Sequence, residues 1–134
     1  MATLSGDSRT ELVSVMGQFP NGLAIDAAGE WLYWTDGKLG KIHRVRTNGT
    51  GRETVVENTG HAFGLAHYGN ILYWTEWSNN SLNSVSLKEG SHSQISTVAA
   101  RPFGVTVVHP NRPLCKQPWV YMHVNTLVNL VGDC

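Results

Sequence analysis

The stretch Leu32-Tyr33-Trp34-Thr35-Asp36 returns forty residues later as Leu72-Tyr73-Trp74-Thr75-Glu76. The surrounding residues recur too, because Gly22-Leu23-Ala24 matches Gly64-Leu65-Ala66, and a third start follows at Pro102-Phe103-Gly104-Val105-Thr106. A pattern that recurs once per unit is typical of architectures in which each repeat buries its apolar faces against its neighbours. The sequence therefore predicts a stack of similar units.

An incomplete unit precedes the two complete ones. The segment 6–13 matches the segment 49–56, with each residue displaced by 43 positions. We therefore predict the end of a preceding unit at 1–20, complete units at 21–61 and 62–101, the first strand of a closing unit at 102–113 and an off-pattern tail at 114–134. The apolar cluster of the tail is too short to cross a bilayer. We expect one irregular strand and a loop there.

Each complete unit predicts four short strands. Its segments are rich in Val, Ile, Tyr, Trp and Thr and are separated by Gly, Asn and Asp, which favours strands and turns. In the first unit, the strands are expected at 22–26, 31–35, 41–46 and 52–56. Four strands in about 40 residues is the size of one blade of a β-propeller. The predicted fold class is all-β, a partial propeller.

Charge and motif content argue against several classes of function. Ten basic and ten acidic residues give zero net charge, so no surface for nucleic acid or an anionic membrane is indicated. The sequence has no Gly-x-Ser-x-Gly elbow, no His-Glu-x-x-His helix and no Gly-rich phosphate loop. We therefore predict no catalytic, cofactor or metal site. The histidines, which lack metal-ligand spacing, are His43, His61, His67, His92, His109 and His123.

The recurring motif allows two interpretations. Its Tyr-Trp pairs could form a platform for a ligand, but bulky aromatics in blade sheets are expected to fill the wedge between neighbouring blades. Its terminal acids could pair or ligate calcium. Equal positions in successive blades lie a full blade apart, so hydrogen bonding within turns is the expected role of the acids. The expected structural residues are Tyr33, Trp34, Thr35, Asp36, Tyr73, Trp74, Thr75 and Glu76.

Two kinds of covalent modification are suggested by the sequence. Asn48-Gly49-Thr50 and Asn79-Asn80-Ser81 have the form of N-glycosylation acceptors and fall in predicted turns. Turn chemistry alone also accounts for these residues. Cys115 and Cys134 do not define a disulfide scaffold, and whether they pair stays open.

The motif and its flanks resemble the Tyr-Trp-Thr-Asp repeats of the low-density lipoprotein receptor family. The stretch 61–70, which leads into the second motif copy, is especially similar to the large LDL receptor-related proteins. The resemblance covers about residues 5 to 113 and implies a ring of six blades between EGF-like modules, on the extracellular side of a single-pass endocytic receptor. The stretch Val107-Val108-His109-Pro110 resembles the end of the last blade, so the chain would supply the fifth and sixth blades.

The resemblance has functional implications and limits. It implies a parent receptor that binds protein ligands or lipoproteins and releases them in acidic endosomes, where histidines gain charge. The cysteine-rich run of an EGF-like module is absent after Pro113, and no secretory signal opens the chain at Met1 to Gly6. We therefore interpret the chain as a fragment of a ligand-binding propeller that does not itself insert into membranes.

Glu76 and Trp77 are the candidates for ligand binding. Gly37 holds the place of Trp77 in the first unit, so Trp77 is expected to be exposed and free for recognition. The alternative is that Trp77 caps its blade against the neighbouring one. Two other classes stay open: metal-dependent hydrolases, which also form six-bladed propellers and which a calcium titration would identify, and structural modules of the extracellular matrix, which share the blade motif.

Overall fold

The protein is described here by a computed structural model that covers residues 4–108, 119–123 and 127–130, with side chains up to residue 107. All of the regular secondary structure in these ranges is β-strand. The strands are β1 (Pro20–Asp26), β2 (Trp31–Asp36), β3 (Lys41–Arg46), β4 (Glu53–Glu57), β5 (Ala62–Tyr68), β6 (Ile71–Glu76), β7 (Ser81–Ser86), β8 (His92–Thr97), β9 (Gly104–Val108), β10 (Trp119–His123) and β11 (Leu127–Leu130).

Each complete repeat forms one antiparallel sheet. Strands β1 to β4 pair in sequence order in the first sheet, and β5 to β8 do the same in the second. The four strands predicted for the first repeat are confirmed, with ends that differ by two residues or fewer. Their strong signal comes from β-branched and aromatic residues bounded by Gly-containing turns. We call these two sheets the first blade and the second blade.

The first strands of the sheets, β1, β5 and β9, lie side by side and hold the units together. A Cβ atom at Gly22 would overlap the carbonyl oxygen of Phe63, and one at Gly64 would lie 2.5 Å from the carbonyl oxygen of Phe103. Because both gaps are smaller than a methyl group needs, only glycine permits these backbones to approach so closely. The recurrence of Gly at these positions therefore has a packing cause.

A threonine of each motif links neighbouring units. Thr35 Oγ1 accepts a hydrogen bond from the Gly22 amide at 2.8 Å and donates one to the Phe63 carbonyl at 2.9 Å. Thr75 repeats the arrangement with Gly64 and Phe103, at 2.9 Å in both bonds. Thr35 and Thr75 are fully buried. Each hydroxyl thus ties the second strand of one blade to its own first strand and to the next unit.

The main apolar core lies between the two blades. Its buried members come from both sheets and are Tyr33, Ile42, Val56, Ala62, Leu65, Leu72, Trp74 and Val85. Leu65 is 7% exposed at this interface, whereas its counterpart Leu23 on the opposite face of the first blade is 66% exposed. Ile25, beside Leu23, is 57% exposed. The first blade therefore presents the kind of apolar face that the second blade buries.

The tail differs from its predicted structure. In place of one irregular strand, β10 and β11 are both present, and they pair with β9 to form a third antiparallel sheet in the order β11, β10, β9. The open edge of a strand such as β9 offers backbone donors and acceptors to any extended segment. Pairing is therefore open to a sequence that lacks the repeat motif. Cys115 and Cys134, whose pairing the sequence leaves open, lie outside the described residues.

Candidate ligand-binding site

The two blades bring three connections to one end of their sheets. These are the β2–β3 turn (37–40), the β4–β5 connection (58–61) and the β6–β7 turn (77–80). We call this end the loop face. The opposite end carries the β1–β2 turn (27–30) and the β3–β4 turn (47–52) of the first blade, together with the corresponding turns of the second blade. The candidates Glu76 and Trp77 both lie at the loop face.

Trp77 is held by its neighbours instead of standing free in solvent. Its indole stacks on Phe63 at a centroid distance of 4.4 Å, with His61 at 5.2 Å and the edge of Phe103 at 5.3 Å. Its ring N–H donates a hydrogen bond of 2.6 Å to the Pro102 carbonyl. The prediction that Trp77 is exposed and not needed for packing is therefore wrong. The indole fills the gap between the start of β5 and the segment before β9.

A cavity of about 340 Å³ opens on the free part of this indole and is lined by His61, Trp77, Ser78 and Arg101. We call it the Trp77 cavity. The Arg101 guanidinium lies 5.3 Å from the indole centroid, within the range of a cation–π contact. A guanidinium beside an aromatic surface suits a ligand group that combines an anionic tip with an apolar stem. The cavity is therefore chemically suited to an acidic side chain.

The two motif acids have different environments. Asp36 is fully buried, and its Oδ1 atom accepts hydrogen bonds from the backbone amides of Phe19, Lys38 and Leu39 at 2.9 to 3.3 Å. The predicted turn role is confirmed for Asp36. No such bond to Glu76 occurs among the described residues. Burial without these donors raises the pKa of the Glu76 carboxyl.

Ser78 takes over the task of Asp36 in the second blade. The His61 amide, which corresponds to the Phe19 amide of the first repeat, donates a 2.9 Å hydrogen bond to Ser78 Oγ. The longer Glu76 side chain lies instead beside Gly60, where a Cβ would collide with Glu76 Oε1 and lie 2.8 Å from Ser78 Oγ. The exchange of Asp for Glu is thus accompanied by a second polar side chain and by a glycine that makes room.

The motif aromatics are packing residues, as predicted. Trp74 is fully buried, Tyr33 and Trp34 are no more than 2% exposed, and Tyr73 is 6% exposed. They are not accessible as a ligand platform. Of these four residues and Trp77, only Trp77 therefore contributes aromatic surface to the loop face.

The histidines in the described region are packed against aromatic rings. His67 stacks on Tyr33 of the first blade, with Nε2 at 4.0 Å from Asp26 Oδ2. His43 packs on Trp34, and burial is the main cause that lowers its pKa. In the residues that the structure describes, no group of three or more His, Cys, Asp or Glu side chains is placed to hold a metal ion.

The two glycosylation candidates lie at opposite ends of the blades. Asn48 is exposed in the β3–β4 turn, away from the loop face. Asn79 is exposed in the β6–β7 turn, next to Ser78 of the Trp77 cavity.

Comparison with known proteins assigns the repeat. The family model for the low-density lipoprotein receptor repeat class B matches residues 30–66, which include the first copy of the motif. The chain contains a class B repeat. The predicted resemblance is confirmed, and the second motif copy has the same four-stranded surroundings as the first class B repeat.

Proteins similar to this class B repeat chain include two receptors. The chain is 34% identical to the vitellogenin receptor Yl of Drosophila melanogaster over 118 residues, which is 87% of this chain and 6% of that receptor. It is 33% identical to the human sortilin-related receptor over 94 residues, which is 70% of this chain and 4% of that receptor. The chain thus spans less than a tenth of either relative.

A solved structure confirms the fold of the class B repeats. The crystal structure of a nidogen/laminin complex contains a chain that superposes with a TM-score of 0.67 at 16% identity, covering 96% of this chain and 65% of that one. That chain is a β-propeller, so the predicted all-β, partial propeller fold is confirmed. No helix in the described ranges is long and apolar enough to cross a bilayer.

Sequence analysis missed three of the four residues that line the Trp77 cavity as members of a site. A signal for two of them was present, because His61-Ala62-Phe63-Gly64 aligns with Arg101-Pro102-Phe103-Gly104. Residues that hold equal places before the first strands of adjacent units must lie at the same end of the stack. Ser78 had no comparable signal, since it accepts the His61 amide bond only because the second motif copy ends in Glu76 where the first ends in Asp36.

Proposed function

We propose that the chain is part of an extracellular propeller with which an endocytic receptor binds a protein ligand at the loop face. The observation that carries this proposal is the Trp77 cavity, where an indole, a guanidinium and an imidazole surround an opening of about 340 Å³. Aromatic and arginine side chains in partly enclosed positions are favoured as anchors of protein interfaces. The similar vitellogenin and sortilin-related proteins are receptors by name.

The ligand class that fits the cavity best is a protein surface with an exposed Asp or Glu. Arg101 is exposed and can form charge-assisted hydrogen bonds with a carboxylate, while Trp77 supports the apolar part of that side chain. Glu76 lies nearby, but burial raises its pKa and thus disfavours its charged form. The proposal assigns recognition to this chain and no reaction of its own.

The parent receptor would extend the chain with further blades, EGF-like modules and a membrane anchor, and its ligands would be proteins or lipoproteins. These features rest on the resemblance and on the receptor relatives, of which the chain covers a small part. Vitellogenin, named in one relative, is the first ligand to test. A role as a hydrolase would instead require a reaction, and a role as a matrix module would require a stable structural partner.

Acid-dependent release would act away from the Trp77 cavity. The candidate group is His43, because it is 6% exposed and its Nε2 is buried without a hydrogen-bond partner in the described part of the chain. The charged groups that affect it are Arg52, Asp36 and Lys41. We propose that its protonation loosens the first blade.

The decisive experiment replaces Arg101 by Gln in the full receptor and measures vitellogenin binding at neutral pH. Loss of one charge-assisted contact is expected to weaken binding by about 10-fold, which corresponds to about 1.4 kcal/mol. Lys88→Gln is the matched control, since it removes the same charge from an exposed turn at the opposite end of the second blade. Equal affinities of the two variants would contradict the proposal.

Trp77→Ala is a less selective variant because the structure gives Trp77 a packing role. The variant should lower the melting temperature together with the affinity, whereas Arg101→Gln should lower only the affinity. Comparison of the two variants separates loss of the fold from loss of recognition.

A further inference from the structure

Asn48 lies in a turn that presents its side-chain amide to solvent. Asn48 Oδ1 accepts hydrogen bonds from the backbone amide of Thr50 at 3.0 Å and from Thr50 Oγ1 at 2.7 Å. Gly49, with a φ of +85°, supplies the left-handed conformation that this turn requires. Asn48 Nδ2 makes no hydrogen bond within the described part of the chain. The nitrogen that would receive a sugar is therefore available.

Asn79 has the same acceptor pattern but a different environment. Its Nδ2 atom donates a 3.3 Å hydrogen bond to Gln94 Oε1, and its Oδ1 atom accepts one from the Ser81 hydroxyl. Ser81 is fully buried and in turn accepts a 2.7 Å hydrogen bond from Asn83. The second triplet is therefore part of a polar network that fixes the β6–β7 turn.

The position of each asparagine relative to the Trp77 cavity also favours a sugar at Asn48 over a sugar at Asn79. Asn79 is separated from the cavity residue Ser78 by one peptide bond, so a branched sugar there would cover the opening. Asn48 follows β3, at the end of the first blade that lies away from the loop face. A strand of six residues separates the two ends by roughly 17 Å. A sugar on Asn48 would leave the loop face accessible.

We propose that Asn48 is N-glycosylated and that Asn79 is not. The donor is a lipid-linked oligosaccharide pyrophosphate of the secretory pathway. The amide nitrogen of Asn48 forms a bond to C1 of the first sugar, the bond between C1 and the pyrophosphate oxygen breaks, and one amide proton is lost. The inference rests on the extracellular location of the proposed function, and it adds a modification site that ligand binding does not use.

The test expresses the full chain behind a cleavable secretion leader and analyses only molecules whose leader has been removed. Trypsin cleaves after Arg46 and Arg52, which isolates Asn48 in the peptide 47–52, while Asn79 stays in the peptide 53–88. Enzymatic removal of an N-glycan in water enriched in heavy oxygen converts the modified Asn to heavy-oxygen-labelled Asp, whereas Asp formed earlier by spontaneous deamidation of Asn48-Gly49 carries no label. Mass spectrometry is expected to find this conversion in the first peptide and not in the second.

Variants assign the modification. Asn48→Gln and Thr50→Val should each abolish the glycan, and Asn79→Gln should leave it unchanged. Glu89→Asn, which creates an acceptor triplet with Gly90 and Ser91 in the corresponding turn of the second blade, should add a second glycan. An unmodified peptide 47–52 in chains that have lost their leader would overturn the proposal for Asn48. A glycan in peptide 53–88 of the wild type would overturn the proposal for Asn79. Neither result depends on a ligand.

Discussion

Replacement of Thr35 by Val should weaken the contact between the two blades without changing the shape of the side chain. The Thr35 hydroxyl is fully buried and forms two hydrogen bonds, one from the Gly22 amide and one to the Phe63 carbonyl. A typical hydrogen bond contributes about 1 kcal/mol net, and more is lost when a buried partner is left unsatisfied. We therefore expect Thr35→Val to lower the free energy of unfolding by about 2 kcal/mol.

Urea unfolding followed by tryptophan fluorescence measures this loss, and amide hydrogen exchange reports on the Gly22 amide directly. Thr75→Val removes the equivalent bonds to Gly64 and Phe103 and should have a similar effect. Thr97→Val is the control, because Thr97 is exposed on β8 and a surface change of this kind usually alters stability by less than about 0.5 kcal/mol. The reasoning is refuted if Thr35→Val matches Thr97→Val in stability and leaves exchange of the Gly22 amide unchanged.

Three further outcomes are expected. Trp34→Ala and Trp74→Ala should each cost about 3–5 kcal/mol and should reduce secretion of the intact receptor before they affect ligand affinity, as measured by quantitative secretion and binding assays. Burial lowers the pKa of His43, so stability should fall as the pH drops through the ordinary value of 6.5, where the unfolded state binds the proton first, until the lowered pKa is reached. Thermal melts of His43→Gln should lose this pH dependence. The chain alone should be poorly stable or self-associate through the exposed Leu23 and Ile25, and sedimentation of Leu23→Lys should show less association. A compact monomer with a sharp melt would contradict that expectation.

The repeat made the fold readable from the sequence. Two copies of one motif fixed the unit length, and Gly-containing turns between β-branched and aromatic runs located the strands of the first blade to within two residues. Burial of Trp34 and Trp74 followed from the same pattern. These features depend on local sequence and on the presence of similar stacked units, and both can be inferred from the repeat period.

The details of the site depend on contacts between units, which a period does not report. The position of Trp77 in the β6–β7 turn was evident, but its stacking on Phe63 and its bond to the Pro102 carbonyl require the spacing of adjacent blades. The capping of the His61 amide by Ser78 likewise follows from how Glu76 fits beside Gly60. Pairing of β10 and β11 with β9 lay beyond the motif altogether.

The threonine bonds between units all run in one direction along the chain. The Thr35 hydroxyl donates to the Phe63 carbonyl of the next unit, and the Thr75 hydroxyl donates to the Phe103 carbonyl of the unit after it. The start of each of these two units therefore accepts a hydrogen bond from the unit before it. Removal of a unit would therefore take a hydrogen-bond donor from the first strand of its successor, while its predecessor would keep the bond to its own first strand and would lose the acceptor of its forward bond. Truncation of a class B array at one terminus thus removes a hydrogen-bond donor, whereas truncation at the other terminus removes an acceptor. Rearrangements that preserve the order of neighbouring units disturb fewer of these bonds than rearrangements that reverse it.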